Sequence, residues 1–384
     1  MSARNVRFKA HFTKGEGVTE LLTSIGATFV RSVVQRDTYF ATRKGRLKLR
    51  DTDGSGELIY YDRLNSPQPR ESSYLRTSIP AGRSAMTDVL DAALGSIVVV
   101  SKTRTIFDLD GSLMNVDLIE DLGQFIEVEV PIAGNGSADL ARQKSARVSA
   151  SLGLTHGDMI AFSYADLVLM KRESAIWREK LKAVANPGRL FLLDGVSGSG
   201  KTSLLYKMLE DKSLGLQCAP RHTTRSKRTG ERELEYLFVD AREFHDLVSS
   251  GAFIEFRDFE FGMSYGLSWD QSMRPLLAGH DAIGIIDLGN ARHVAEVLPE
   301  AVRILISTSP RALEGRLRAR GHLTEEQIQE RLSNAAYADP TSRFYDFVVD
   351  NDDGAFERSL STLRDIIRKG ASARANFIPS AQRV

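Results

Sequence analysis

The chain has 384 residues, 42% of them apolar and 26% charged, the profile of a globular protein with room for two domains. Lys and Arg number 51 against 50 Asp and Glu, so no global charge pulls it toward nucleic acid or an anionic membrane. A single cysteine, Cys218, excludes an intramolecular disulfide or a cysteine zinc cluster, and no run is apolar enough to span a membrane. The expectation is a cytoplasmic protein with neither membrane nor nucleic acid as partner.

Residues 1–130 alternate apolar and charged positions in short runs. Val6, Phe8, Ala10 and Phe12 interleave with Arg7, Lys9 and His11. Leu47 and Leu49 interleave with Arg46, Lys48 and Arg50, and Ile126, Val128 and Val130 with Glu127 and Glu129. A period of two puts each set on its own face of a strand. Turn signals at Asp53-Gly54-Ser55-Gly56, Asn65-Ser66-Pro67 and Asp110-Gly111-Ser112 separate the runs, as in antiparallel structure. Helices are predicted over Val18–Ile25, Ala85–Leu94 and Ala138–Leu152. Lys102 and Arg104 extend the charged face. Such rows repel one another on a plain solvated face, which stays open as a reading. Closed into a barrel, they would line a tunnel for a polyanion, with acids available for a metal.

Lys171–Ala185 is a charged amphipathic stretch stopped by Asn186-Pro187-Gly188, which reads as a linker helix over 171–187. Beyond it the pattern becomes apolar run, glycine loop, helix. Strands are predicted at Leu190–Asp194, Ala282–Asp287 and Val302–Ser307. Helices are predicted at Thr202–Glu210, Ala291–Leu298, Pro310–Arg320 and Thr324–Ala338. This alternation implies a parallel sheet covered by helices. The division expected is therefore 1–170, the linker, an α/β domain over 188–370, and a flexible tail over 371–384.

Gly195-Val196-Ser197-Gly198-Ser199-Gly200-Lys201-Thr202 fits the phosphate-loop pattern, between a predicted strand and a predicted helix. Glycines let backbone amides turn inward, so Gly195, Ser197, Gly198, Ser199 and Gly200 would cradle the phosphates of ATP at a helix N-terminus. Lys201 would reach the β- and γ-phosphates and the Thr202 hydroxyl would hold Mg²⁺. Asp287, closing an apolar strand, suits the metal's water shell. The basic, hydroxyl-rich stretch from Arg221 to Glu231 suits a small phosphate monoester.

Thr223-Thr224-Arg225, Arg228 and Gly230-Glu231 resemble the monophosphate-binding region of guanylate kinases. The resemblance runs on through Tyr236-Leu237-Phe238-Val239, Phe253-Ile254-Glu255-Phe256, Tyr265-Gly266, Arg316-Leu317-Arg318-Ala319-Arg320-Gly321, Arg331-Leu332 and Val349-Asp350-Asn351-Asp352. It implies that Arg225, Arg228, Tyr236 and Tyr265 hold an acceptor phosphate and that Glu255 faces a nucleobase. Arg316, Arg320 and Arg331 would close over the transferring phosphoryl, with Lys201 among the catalytic groups. GMP or dGMP is the favoured acceptor. The chain departs from that family in places: Arg221 and Leu267 stand where serines are usual, Ile285 replaces the first Asp of a strand-end pair, and the loops before Tyr236 and Tyr265 differ in length by one residue. A ribose-phosphate kinase therefore stays as an alternative.

In the first half, Gly45-Arg46-Leu47-Lys48-Leu49-Arg50, Leu58-Ile59-Tyr60-Tyr61, Pro69-Arg70-Glu71-Ser72, Ser101-Lys102-Thr103-Arg104, Phe125-Ile126-Glu127-Val128-Glu129 and Ser163-Tyr164-Ala165-Asp166-Leu167 resemble the CYTH family of triphosphate tunnel proteins, class IV adenylate cyclases among them. The resemblance implies an antiparallel tunnel. Lys9, Arg46, Lys48, Arg50, Lys102 and Arg104 would grip a polyphosphate or nucleoside triphosphate there, and Glu127 and Glu129 would bind Mg²⁺ or Mn²⁺. Where that family opens with an E-x-E-x-K strand, this chain reads Asn5-Val6-Arg7-Phe8-Lys9. The whole is expected to be a nucleotide kinase fused to a tunnel that binds, and regulates through, a polyphosphate. A bifunctional enzyme with an active triphosphatase or cyclase tunnel, a non-catalytic nucleotide sensor and a homodimeric arrangement stay open.

Overall fold

Alternation in the first part of the chain is realised as a closed eight-stranded antiparallel barrel in the computed structural model. The structure describes residues 3–12, 17–79, 83–132, 137–228, 234–259, 262–319, 321, 323–333, 335 and 343–370. The barrel strands are β1 (Ala3–His11), β2 (Thr28–Phe40), β3 (Arg46–Thr52), β4 (Ser55–Tyr61), β5 (Arg70–Ile79), β6 (Ser96–Leu109), β7 (Ser112–Ile119) and β8 (Gly123–Pro131). Their order is β1-β5-β4-β3-β2-β6-β7-β8, and β8 pairs back onto β1 to close the ring. Asp53-Gly54 joins β3 to β4 with φ of 44° and 94°, and Asp110-Gly111 joins β6 to β7 with 49° and 74°. Two successive left-handed residues give the hairpin turn whose twist matches the flanking strands, and Asp-Gly tolerates it best.

The barrel has its grease outside and its charge inside. Val6, Phe8 and Ala10 join Met114, Val116, Val128 and Val130 in an apolar layer that packs with Ala141 and Val148 of the helix Ala138–Ser151. On the other face Arg7 lies across from Glu129, and Lys9 from Glu127. Arg104 likewise faces Asp117, and Asp37 faces Arg50.

The helix predicted from Lys171 runs instead over Tyr164–Lys182. Ser163 Oγ accepts from the Asp166 amide at 3.1 Å while Asp166 Oδ2 accepts from the Ser163 amide at 2.7 Å. This reciprocal cap fixes the start seven residues early.

The later part carries a five-stranded parallel sheet built from β9 (Leu190–Asp194), β10 (Gln217–Ala219), β15 (Ala282–Ile285), β16 (Val302–Ser307) and β17 (Phe347–Asp350), in the order β10-β15-β9-β16-β17. Every residue of central β9 is buried. Leu204, Leu205 and Met208 of the helix Lys201–Glu210 pack with Leu360, Leu363 and Ile367 of the helix Phe356–Lys369 over Phe191, Leu193 and Ile304. Strands β11 (Arg221–Thr223), β12 (Tyr236–Phe238), β13 (Phe253–Asp258) and β14 (Ser264–Ser268) form a second sheet ordered β12-β11-β14-β13. The strand predicted to reach Asp287 stops at Ile285, and the helix predicted over Thr324–Ala338 is described as Glu325–Ser333. The residues predicted as a tail, 371–384, lie outside the described ones, as does Arg320.

The chain divides into two compact units: Met1–Lys171 with Ala241–Gly251 and Arg257–Gly262, and Arg172–Asp240 with Ala252–Phe256 and Met263–Val384. No described helix is long and apolar enough to cross a membrane.

Candidate functional site

The loop after β9 has the geometry its sequence requires. Gly195, Gly198 and Gly200 take φ of 142°, 103° and 93°, conformations that L side chains avoid. A Cβ at Gly195 would collide with the Ile306 carbonyl, and one at Gly200 with the Asn351 amide. The loop is thus a cradle of backbone that only glycine can form, opening directly onto the helix that starts at Lys201. Lys201 Nζ donates to the carbonyls of Gly195 and, at 3.0 Å, Val196. Ser199 Oγ is buried without a hydrogen-bond partner among the described residues, and Thr202 is exposed at the first turn. These features fit a triphosphate with its metal: a glycine-shaped turn at a helix N-terminus, a cation on the loop and an exposed hydroxyl at Thr202.

Two helices bring arginines to this loop. Val196 packs with Leu313 and Leu317 of the helix Pro310–Ala319 and with Ile328 of Glu325–Ser333. From these helices Arg331 Nη1 donates to Ser197 Oγ at 2.9 Å, and Arg316 pairs with Asp353 at 3.2 Å. Asn351, buried beside the loop, donates to the Ser199 carbonyl at 2.6 Å. Burial pushes the Asp194 carboxyl up to about 7, although the Tyr345 hydroxyl and the Gly195 amide both donate to it. Asn351 lies in the Val349–Asp352 segment of the family resemblance, whereas nothing local in the sequence pointed to Asp194.

The second sheet gathers the predicted acceptor residues. The Arg225 guanidinium lies 4.7 Å from the Tyr236 ring centre and 5.5 Å from that of Phe238, and Tyr236 meets Tyr265 edge-on at 5.9 Å. Arg228 is exposed. Glu255 and Asp287 converge as well, but on Arg221. Its guanidinium contacts Glu255 at 3.3 Å, bridges both Asp287 oxygens, and lies over the Tyr265 ring at 5.2 Å. Asn290 Nδ2 donates to the other Glu255 oxygen at 2.6 Å. Asp287, read from sequence as a metal-shell acid, is therefore held by an arginine. Burial drives the Glu255 carboxyl up to about 7 with Asp287 adding repulsion, even with Arg221 beside it.

Inside the barrel the predicted cations do converge. Lys48 Nζ and Arg50 Nε each donate to Asp37 at 2.7 Å. Arg104 grips Asp117 through two bonds of 2.6 Å and Glu127 at 2.7 Å, Lys102 donates to Asp117 at 3.3 Å, and the Tyr164 hydroxyl donates to Asp117 at 2.8 Å. Arg46 Nη2 donates to both Asp166 oxygens, at 2.8 and 3.0 Å. Lys9 donates to the Phe162 carbonyl at 3.3 Å and lies 3.5 Å over the Tyr164 ring. Burial first, then neighbouring arginines, push Lys48 down to about 7 and Lys102 to about 8. The sequence offered no pointer to Asp37 or Asp117, whose roles depend on register across the closed ring.

Asp117 is the keystone of this network. Asp117→Ala strands Arg104 and Lys102 in a buried site and is expected to cost about 3–5 kcal/mol. Urea unfolding of the full chain should show the loss; a change below about 1 kcal/mol, the scale of an exposed pair, would mean that the network contributes little.

A parallel sheet with a glycine-cradled loop at the end of its central strand, faced by arginine-bearing helices, defines a P-loop phosphotransferase. Residues 187–370 match the guanylate kinase family model, and residues 3–163 match that of the CYTH domain. Guanylate kinase from Neisseria meningitidis serogroup A is 41% identical over 182 residues, covering 47% of this chain and 87% of the relative. Guanylate kinase from Shewanella sp. (strain MR-7) is 38% identical over 183 residues, with the same coverages. A crystal structure of guanylate kinase from Anaplasma phagocytophilum aligns at a TM-score of 0.38 and 27% identity, over 48% of this chain and 86% of that one. The chain belongs to the guanylate kinase family, with a CYTH domain ahead of the kinase region.

Proposed function

We propose that residues 188–370 transfer the γ-phosphoryl group of ATP to the phosphate of a nucleoside monophosphate, with GMP or dGMP the favoured acceptor. The observation that carries this is Arg331 reaching the phosphate loop at Ser197 from a separate helix, because phosphoryl transfer needs cations converging on the γ-phosphate. The loop amides and Lys201 hold the triphosphate. Thr202 would hold Mg²⁺, which would supply charge neutralisation when bound. Arg225, Arg228, Tyr236 and Tyr265 hold the acceptor phosphate, and Glu255 with Asp287 faces the base. Arg316, Arg320 and Arg331 close over the transferring group and exclude water. An acceptor phosphate oxygen bonds to the γ-phosphorus as the bond to the β–γ bridging oxygen breaks, and ADP leaves.

One observation favours a second acceptor. Arg221 occupies both carboxylates that would read guanine, which suits a sugar phosphate lacking a base. A coupled ADP-release screen over GMP, dGMP, AMP and ribose phosphates tests both readings. Turnover with GMP or dGMP is expected; turnover confined to ribose phosphates would select the second reading, and none with any acceptor would overturn the kinase assignment.

For residues 1–170 we propose a receptor for a polyphosphate or nucleoside triphosphate, gripped by Lys9, Arg46, Lys48, Arg50, Lys102 and Arg104. The inward-facing cations of a closed barrel support it.

A further inference from the structure

We infer that this barrel takes its polyphosphate without a divalent cation, because Arg7 occupies the place between Glu127 and Glu129. The inference rests on the barrel being a polyphosphate receptor.

All four oxygens of the two glutamates already accept from protein donors. Glu127 Oε1 takes Arg7 Nη1 at 3.4 Å, and Oε2 takes Arg104 Nη2 at 2.7 Å. Glu129 Oε2 takes Asn5 Nδ2 at 2.8 Å and Arg7 Nη2 at 3.4 Å, and Oε1 takes Asn115 Nδ2 at 3.4 Å. Mg²⁺ or Mn²⁺ would need several of these oxygens, close to ideally arranged, and would sit against two guanidinium groups. Asp117 is no reserve ligand, since Arg104, Lys102 and Tyr164 occupy it. Among the described residues no group of three His, Cys, Asp or Glu is placed to hold a metal ion. The donor set here does not fit the cation that the family resemblance implies.

The same arrangement crowds positive charge around Arg70, where Arg7, Arg46 and Arg63 act against Asp258. Arg7 and Arg70 are direct cross-strand neighbours on β1 and β5, so their side chains share the inward face. Like charges so placed destabilise a sheet unless a counter-charge joins them. Arg70 Nη2 donates to the Ala161 carbonyl at 3.1 Å, but its Nε and Nη1 are buried with no hydrogen-bond partner among the described residues. A polyphosphate oxygen satisfies those donors and separates the two arginines. Arg7 thus does a cation's work permanently: it neutralises the glutamates and leaves the remaining cations for the anion.

The test is calorimetric titration of inorganic tripolyphosphate into the full-length chain carrying Lys201→Ala, which removes the phosphate-loop cation. Binding in EDTA is expected to be at least as tight as with Mg²⁺. Arg70→Gln in that background is expected to weaken it about tenfold, the scale of a charge-assisted hydrogen bond. Arg7→Glu is expected to abolish binding in EDTA and restore it in part with Mn²⁺; if that variant fails to fold, the first two comparisons stand without it. Binding seen only with a divalent cation would overturn the inference and leave the receptor reading intact. No binding in either condition would overturn both. Binding in EDTA that Arg70→Gln leaves unchanged would place the anion outside the barrel and overturn the inference too.

Discussion

Lys201→Ala is expected to slow phosphoryl transfer by about 10³-fold or more, the scale set by losing one preorganised charge at a developing transition state. Lys201 is the cation on the loop itself: its Nζ rests on the Gly195 and Val196 carbonyls, at the mouth of the cradle. Those two hydrogen bonds join the side chain to local backbone. The variant should therefore keep the Tm of the parent while losing turnover, which separates a chemical defect from a folding one. Arg331 cannot stand in, because it arrives from another helix and reaches Ser197 instead. Initial rates in the ADP-release assay check this against circular dichroism melts of the same preparation. Turnover within a few-fold of the parent would mean that the transferring phosphate lies elsewhere, and a loss of folded signal would assign Lys201 a structural role.

What the sequence made legible was local. Period-two alternation around Arg7, Lys48 and Glu127 foretold strands with a charged face, and the Asp-Gly pairs foretold where they turn, since both signals act over a few residues. The phosphate loop was equally plain, because the positive φ angles at Gly195, Gly198 and Gly200 are written as glycines. What stayed hidden depends on register and closure. Glu129 falls across from Arg7 only because β8 returns to pair with β1, and a slip of one residue would turn either side chain to the apolar face. Asp37 and Asp117 become anchors for the same reason. Arg221 was visible as a departure, but its hold on Glu255 and Asp287 joins strands and loops far apart in sequence. The helix start at Tyr164 did have a local signal, the Ser163-x-x-Asp166 cap, which the stronger amphipathic pattern beyond Lys171 overshadowed.

Arg221→Ser is expected to shift acceptor preference toward GMP, raising the ratio of kcat/KM for GMP over ribose 5-phosphate by about 100-fold. That is the scale on which a site gains discrimination when buried polar groups are freed to pair with a substrate. In the parent chain Asp287 and one oxygen of Glu255 are engaged by one guanidinium, the other Glu255 oxygen accepting from Asn290. Serine is short, uncharged and leaves the space that the guanidinium filled over Tyr265. The gain comes with a loss of stability, because buried Glu255 and half-buried Asp287 lose their counter-charge, a change worth up to about 3–5 kcal/mol. Its pH dependence has a definite sign. The folded Glu255 carboxyl is held at about 7 against an ordinary 4.5, so the folded state binds its proton more tightly than the unfolded one, and stability falls as pH rises through that interval. Without Arg221 the folded carboxyl moves higher still and the interval extends upward. The deficit relative to the parent should therefore be larger at about pH 8 than at about pH 6. Bound GMP should recover part of it, seen as a larger rise in Tm on adding GMP for Arg221→Ser than for the parent. An unchanged acceptor ratio, with the stability deficit present, would show that Glu255 and Asp287 serve only to hold Arg221 and do not read a base.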